Sequence, residues 1–354
     1  MLRVAVIGAG WTGCHIAKSL IDKSVQVEIF EKSNSIFAGA SGNNQCRLHL
    51  GFHNPRASLT VREEISAYDA FCRTYARFAQ DFSKNIYAIA DKETLIDFET
   101  YCLIMRNHGV AFEVVDAAEN GITQVEGCLL IQEKVLNLEK AADYFKSILA
   151  PNLRLGQEVQ SLTTHSDFVK VNGEKFDLAL NCTYNQFSPF DVGRFTYEAC
   201  LMSLYRLKPG AQARALTVMD GNFGSIYPYP TLSGDWLFSA SAVEATPFFK
   251  TDKIENAINA ISKLSATEIN KIKNHIEEVM HGFCPSFPGD YEFLRPIVSI
   301  KTKEVGERNG KRESHVIGNG RLLHIFAAKL NSVLMLEQEI LESIQKITDT
   351  DIKI

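Results

Sequence analysis

A short apolar run from Leu2 to Ile7 opens the chain and predicts a strand. Helical periodicity follows from Gly10 to about Lys23, and a second apolar strand runs from Val25 to Phe30. Strand, helix and strand spaced so closely make a βαβ unit, because parallel strands need a crossover between them. From Ser33 to Asn54 the chain is rich in Gly, Ser and Asn without a clean period, and reads as loop. Pro55 to about Phe82 predicts a long helix, with Pro near its start and apolar residues at Ile65, Tyr68, Phe71 and Phe78. Between Lys84 and Val115 two apolar runs flank a helical stretch, Glu93 to Asn107. After the turn-like Val135-Leu136-Asn137, Leu138 to Leu149 is a further amphipathic helix.

Strand signals then alternate with turns. They fall at Arg154 to Leu162, at Phe168 to Val171 before Asn172-Gly173, and in the apolar run Asp177 to Cys182. Glu198 to Ala245 is almost entirely strand-like, broken at Pro209-Gly210, Asp220-Gly221 and Ser233-Gly234-Asp235. Such punctuation predicts an antiparallel sheet. A pair of helices fills Ile254 to Met280, and the Pro-rich connector Cys284 to Gly289 leads to a strand near Arg295. A last strand, His315 to Ile317, precedes a closing helix from about Lys329 to Ile347.

Composition narrows the classes. The 354 residues are 45% hydrophobic and 22% charged, ordinary for a globular protein. A formal net charge of -5 and a pI near 6.0 argue against a nucleic-acid surface, and no Lys/Arg run makes a polybasic anchor. Apolar stretches have core-strand length, too short for a membrane span. The start lacks the charged, apolar and small-residue order of a signal peptide, so a cytoplasmic location is expected. The eight cysteines form no C-x-x-C pair, which gives no support to a zinc knuckle or dithiol centre. They are expected to be mostly buried thiols of a reducing compartment. No clustered His and carboxylate set suggests a metal.

The run VAVIGAGWTG places Gly8, Gly10 and Gly13 in G-x-G-x-x-G between strand and helix. Gly8 makes the tight turn, Gly10 lets a pyrophosphate approach the backbone, and Gly13 lets helix and strand pack closely. The helix start at Trp11 and Thr12 offers N–H groups and a positive dipole end to phosphates. Glu31, followed by Lys32, ends the second strand, where a carboxylate can accept both ribose hydroxyls of adenosine. The motif alone does not choose between FAD and NAD.

The segment FAGASGNNQCRLHLGFHNP, Phe37 to Pro55, is too long and polar for a simple connection. It resembles the second flavin-contacting segment of the D-amino-acid oxidase/glycine oxidase superfamily, the DAO family. The correspondence falls on Ala40, Ser41, Gly42, Asn43, Asn44 and Gln45, then Arg47, His49 and Gly51. GQEVQSL around Val159 looks like the family's adenine-reading strand, and FDLALNCTYN like the strand entering the cofactor site, with Cys182, Thr183 and Tyr184 at its end. LRP at Leu294 to Pro296 matches the Arg-Pro element. GNGRLLHIFAAKLNSV, Gly318 to Val333, looks like the C-terminal loop and helix that faces the flavin, carrying Lys329, Leu330 and Asn331. The family's usual Gly-His-Gly flavin loop is replaced by Ile325-Phe326-Ala327-Ala328-Lys329.

The resemblance implies FAD as cofactor and an α/β fold, a Rossmann-like FAD-binding domain with an inserted, largely antiparallel β substrate domain. The expected boundaries are 1–83, 135–197 and 285–354 for the first, and 84–134 and 198–284 for the second. It also implies oxidation of a small polar amine, amino acid or hydroxy acid by hydride transfer to flavin N5.

Candidate catalytic residues each carry a second reading. Arg47 and His49 share a face if their segment is a strand, and would bind an anionic substrate group or supply a base. Together with His53 they would otherwise be structural partners in a buried loop. Arg295 either clamps a carboxylate or pairs with an acidic neighbour. Lys329 either stabilises the reduced flavin or is a solvated helix-start lysine. Tyr227 and Tyr229, alternating on a strand, either line the substrate pocket or are half-buried sheet residues. Other functions to weigh are a non-redox flavoprotein such as a sugar mutase, an NAD-dependent dehydrogenase, and a protein that binds the dinucleotide only as structure or sensor.

Overall fold

In the computed structural model the described residues are 1–187, 195–221, 223–305, 314–327 and 329–349. The chain opens with β1 (Arg3–Ile7), α1 (Trp11–Asp22) and β2 (Gln26–Glu31), the βαβ unit that the sequence predicts. Gly13 explains the close packing of this unit, since a Cβ there would sit 2.0 Å from the Gly8 carbonyl oxygen. The side chain of Trp11 turns away from the turn into an aromatic cluster with Phe37, Phe71, Tyr75, Phe78 and Phe145.

A long loop then leads to α2 (Ser58–Thr74), shorter than the predicted helix because Ala76 to Phe78 turn into β3 (Ala79–Gln80). Next come β4 (Asn85–Ala90), α3 (Phe98–Asn107), β5 (Phe112–Val115) and β6 (Val125–Ile131). The chain returns through β7 (Val135–Leu136) to α4 (Leu138–Leu149), which the Asn137 side chain caps by accepting from the Lys140 amide. The predicted strand Arg154 to Leu162 is two: β8 (Leu153–Leu155) ends at Gly156 (φ +69°), and β9 (Leu162–Thr164) begins after a coil held by the Asn172 side chain. Val159 therefore lies in coil and not on a strand. β10 (Val169–Val171), β11 (Glu174–Phe176) and β12 (Leu178–Asn181) follow.

The next stretch is β13 (Phe195–Leu207), β14 (Ala215–Met219), β15 (Gly224–Pro230), β16 (Trp236–Ala242) and β17 (Pro247–Thr251). Helices α5 (Ile254–Ser262) and α6 (Ala266–Phe283) match the predicted pair, and a Ser265/Glu268 capping box starts the second. The chain closes with α7 (Phe287–Asp290), β18 (Tyr291–Glu304), β19 (His315–Asn319), β20 (Leu322–Phe326) and α8 (Val333–Thr348). β20 corrects the expectation of plain loop before the last helix: Leu322 to Phe326 is a buried strand paired to both β12 and β19.

The sheets divide the fold as the α/β reading expects. A six-stranded sheet has the order β19-β20-β12-β1-β2-β8, parallel except at β19. A nine-stranded, largely antiparallel sheet is built from β4, β5, β6 and β13 to β18. Strand β18 corrects one boundary, because it pairs along nearly its whole length with β13 in the large sheet, although it was expected in the cofactor part. Its pairing gives two long neighbouring strands their ladder, which no strand of the parallel sheet offers.

All eight cysteines are free thiols. Among the described residues no helix is long and apolar enough to cross a membrane, and no group of three or more His, Cys, Asp or Glu is placed to hold a metal.

Candidate active site

One cavity of about 700 Å³ takes its walls from both sheets. It extends from Glu31, Lys32 and Val159, past Gly8, Gly10 and Ser41, to Arg47, His49, His53 and Lys329. At the first end the Glu31 carboxylate is fixed beside the glycine turn, accepting from the Ala9 amide at 2.8 Å and the Ser33 amide at 2.9 Å. Lys32 donates to the Gln186 side chain at 3.3 Å. Gly8 takes φ +97° against the end of β12, where a Cβ would stand 3.0 Å from the Cys182 carbonyl oxygen. Burial pushes the Cys182 thiol up to about 12, so it is a neutral wall group. Thr183 beside it donates to Asn181 at 2.7 Å.

The middle of the cavity is built from the long loop. Ser41 accepts from the Trp11 amide at 2.9 Å and sits so close to Gly10 that a Cβ there would be 3.0 Å from its hydroxyl. Asn44 stitches the loop together, donating to the Ala40 and Ser41 carbonyls and accepting from the Cys46 amide. Gln45 reaches across to the large sheet, donating to Ser225 on β15 at 3.2 Å. Leu330 and Asn331 form the wall at the turn before α8, and the Asn331 Nδ2 is buried there without a hydrogen-bond partner.

A dinucleotide fits these walls. Ala38, Gly39 and Ala40 leave room, the Gly10 backbone is open, Glu31 is anchored, and the orphaned Asn331 amide offers a donor that a ligand carbonyl would satisfy.

The other end is charged. Arg47 is buried, its Nη1 donating to Thr217 at 2.7 Å and to the Tyr87 hydroxyl at 3.4 Å, and its guanidinium lies 4.2 Å over the Tyr227 ring. Its Nε and Nη2 are buried on the cavity wall without a hydrogen-bond partner. The rings of His49 and His53 lie 5.2 Å apart, and His49 Nδ1 stands 4.0 Å from a Glu133 oxygen. Lys329 is in ion-pair contact with Glu64 of α2, which also accepts from Asn54 at 2.8 Å. Burial pushes the Lys329 ammonium down to about 7, against the pull of nearby Glu63.

Three expected site residues are elsewhere. Trp11 and Gly13 support the turn from behind and do not line the cavity. Arg295 is exposed on β18, donates to the neighbouring Pro296 carbonyl at 3.3 Å, and is absent from the cavity wall. The membership of β18 in the large sheet accounts for this, since it turns Arg295 outward. Tyr227 and Tyr229 are buried behind the wall, the first beneath Arg47 and the second donating to Gly42. Sequence reasoning missed Glu133 and Glu64. The second had a signal: Glu64 falls on the apolar stripe of α2 with Val61, Tyr68 and Phe71, where a carboxylate is out of place unless paired.

Comparison with known proteins agrees with this geometry. Residues 3–320 match the family model DAO, FAD dependent oxidoreductase. The chain is 32% identical over 343 residues to the FAD-dependent monooxygenase FPY4 of Fusarium mangiferae, covering 96% of this chain and 90% of that protein. Its fold is similar to a glycine oxidase from Geobacillus kaustophilus, with TM-score 0.72 and 15% identity over 99% of this chain and 96% of that one. It is also similar to the FAD-bound L-alpha-glycerophosphate oxidase from Mycoplasma pneumoniae, with TM-score 0.71 and 14% identity over the same shares, 99% and 96%. The Gly-rich turn, the anchored Glu31 and the two-sheet cavity are thus those of an enzyme of the DAO family of FAD dependent oxidoreductases, to which this chain belongs with FAD as its cofactor.

Proposed function

We propose that this enzyme oxidises a small polar amine, amino acid or hydroxy acid that carries an anionic group. The observation that supports this best is the pair of unpartnered N–H groups of Arg47 on the cavity wall beside His49. A buried guanidinium with open donors favours a planar anion that accepts from both. When bound, FAD would supply the oxidant for a two-electron oxidation in which substrate carbon gives up a hydride. The residues do the rest. Gly8, Gly10, Thr12 and Glu31 hold the dinucleotide end, with Lys32, Val159, Cys182 and Thr183 as walls. Ala40, Ser41, Asn44, Gln45, Leu330 and Asn331 hold the flavin end. Arg47 orients the substrate anion, and His49 takes the proton released from its hydroxyl or ammonium as the carbon–oxygen or carbon–nitrogen double bond forms. Lys329, in its protonated form, would add positive charge to the flavin end of the cavity and favour an anionic reduced cofactor.

Anaerobic mixing of the holoenzyme with a panel of small amino and hydroxy acids tests the reading, bleaching of the flavin band being the expected result. With any substrate so found, Arg47→Lys should raise KM on the order of 10- to 100-fold, the loss of about 1.5–3 kcal/mol for charge-assisted hydrogen bonds. Bleaching by neutral analogues as readily as by anionic ones would sink the anion assignment. The name of the FPY4 relative supports a second reading, oxygen insertion. Isotopic oxygen gas distinguishes the two, because label enters the product only if oxygen is inserted.

A further inference from the structure

Glu133 lies between β6 and β7, where the chain leaves the large sheet, and it is fully buried without lining the cavity. One of its oxygens accepts from the Leu50 amide at 2.7 Å and stands 4.0 Å from His49 Nδ1. The other accepts from the Tyr87 hydroxyl at 3.0 Å and the Tyr227 hydroxyl at 3.4 Å. Those two tyrosines are the ones in contact with Arg47. A single carboxylate thus reaches both candidate substrate groups from behind, one directly and one through tyrosine.

We propose that Glu133 is the positioning residue of the substrate site, a shared counter-charge that raises the proton affinity of His49 and compensates Arg47. This rests on the reading of His49 as the base. A carboxylate taken out of water is costly unless cations and donors meet it. Burial does push Glu133 up from the ordinary carboxylate range, while Arg47, the Leu50 amide and the tyrosine hydroxyls pull it back. With Nδ1 facing that carboxylate, the imidazolium formed when His49 takes the substrate proton gains a charge partner.

Other charged and titratable groups surround this end of the cavity. Arg47 and His53 come from the same segment, Tyr87 from β4, Tyr227 from β15, and Lys329 with its partner Glu64 from the α8 approach and α2. Lys329 is in ion-pair contact with Glu64, and Arg47 is cationic. Glu133 stands within ion-pair range of His49, at 4.0 Å.

The test compares wild type, Glu133→Gln and Glu133→Asp as FAD-loaded enzymes. The His49 ring is titrated by NMR in the oxidised, substrate-free state, and the pH profile of anaerobic flavin reduction is taken with the acid that bleaches best. Glu133→Gln should move the His49 midpoint and the acid limb of reduction down together by roughly one to two pH units. Glu133→Asp, which keeps the charge, should restore most of that shift. An unmoved His49 midpoint in Glu133→Gln overturns the proposal, whatever happens to stability or rate. Should the glutamine variant fail to fold, Glu133→Ala with and without added formate decides: a lowered His49 midpoint that formate raises again supports the proposal, and a midpoint at the wild-type value without formate overturns it. A moved midpoint with an unmoved acid limb upholds Glu133 and removes His49 from the role of base.

Discussion

Gly10 and Glu31 stand side by side in the cofactor cradle, yet their replacement should fail in different ways. A side chain at Gly10 fills the space beside Ser41 that the pyrophosphate backbone approach requires. Gly10→Val should therefore purify colourless while folded, and a yellow preparation with full flavin content would place the cofactor elsewhere. Glu31 already accepts from Ala9 and Ser33, so Glu31→Ala removes a ribose acceptor and loosens the turn together. Weaker FAD binding by about 1.5–3 kcal/mol is expected, read by flavin release on dilution. Lys329 gives a pH signature. Its folded pKa near 7 lies below the ordinary 10.5, so between those values the unfolded chain binds the extra proton and stability rises with pH. Lys329→Met should flatten the rise of Tm across that window. At this scale the sequence was readable wherever one residue type has one use, as in the glycine turn. It misled where a charge was judged without its partner: Arg295 is solvent-facing, while the Glu133 that completes the Arg47 and His49 pair looks in sequence like any polar residue between apolar runs.

Among the elements, α8 shows how the closing helix is fastened. Glu337 on it accepts from Ser19 and lies 3.3 Å from His15 Nε2, both on α1, while His15 Nδ1 and the Tyr75 hydroxyl are 2.5 Å apart. The His15 contact, with help from Ser19, holds the Glu337 carboxyl down at about 2 despite partial burial. A depressed carboxylate contributes stability that is present above its unfolded value of 4.5 and is lost as pH falls through about 2. Glu337→Gln should lower Tm at neutral pH and reduce the loss of Tm between those two pH values; parallel acid curves for both proteins would refute the clasp. Helix periodicity was legible where one stripe is buried, as on α3, α4 and α6. The strand β20 was not, since LLHIF is buried throughout and continuous burial carries no period. The coil at Val159 was hidden for another reason: the Asn172 side chain takes the Gln160 and Ser161 amides that a ladder would need.

For the whole molecule, we propose that the two sheets are discontinuous domains that interrupt each other. The chain leaves the parallel sheet after β2, visits the large sheet in β4 to β6, returns for β8 and, after a small antiparallel sheet of β9 to β11, for β12, and crosses again for β13 to β18 before β19 and β20. Limited proteolysis should therefore release no folded fragment that spans only residues 1–83, and a stable one would refute the interleaving. The alternation of α/β and antiparallel segments was visible in the sequence, and so was the existence of an insert. The membership of β18 was not, because strand partners far apart in the chain leave no mark on a local pattern.

That interleaving bears on the order in which the protein is made. Gly8, Gly10 and Glu31 leave the ribosome early, but β1 has β12 as its neighbour and β12 has β20, while Lys329, Leu330 and Asn331 complete the wall. A nascent chain stopped short of these residues has the fingerprint of a dinucleotide site and none of its far side. Flavin capture must then wait until those residues have emerged, and ribosome-stalled chains ending before Leu322 should show no flavin fluorescence quenching, whereas chains extended well past α8 should bind it.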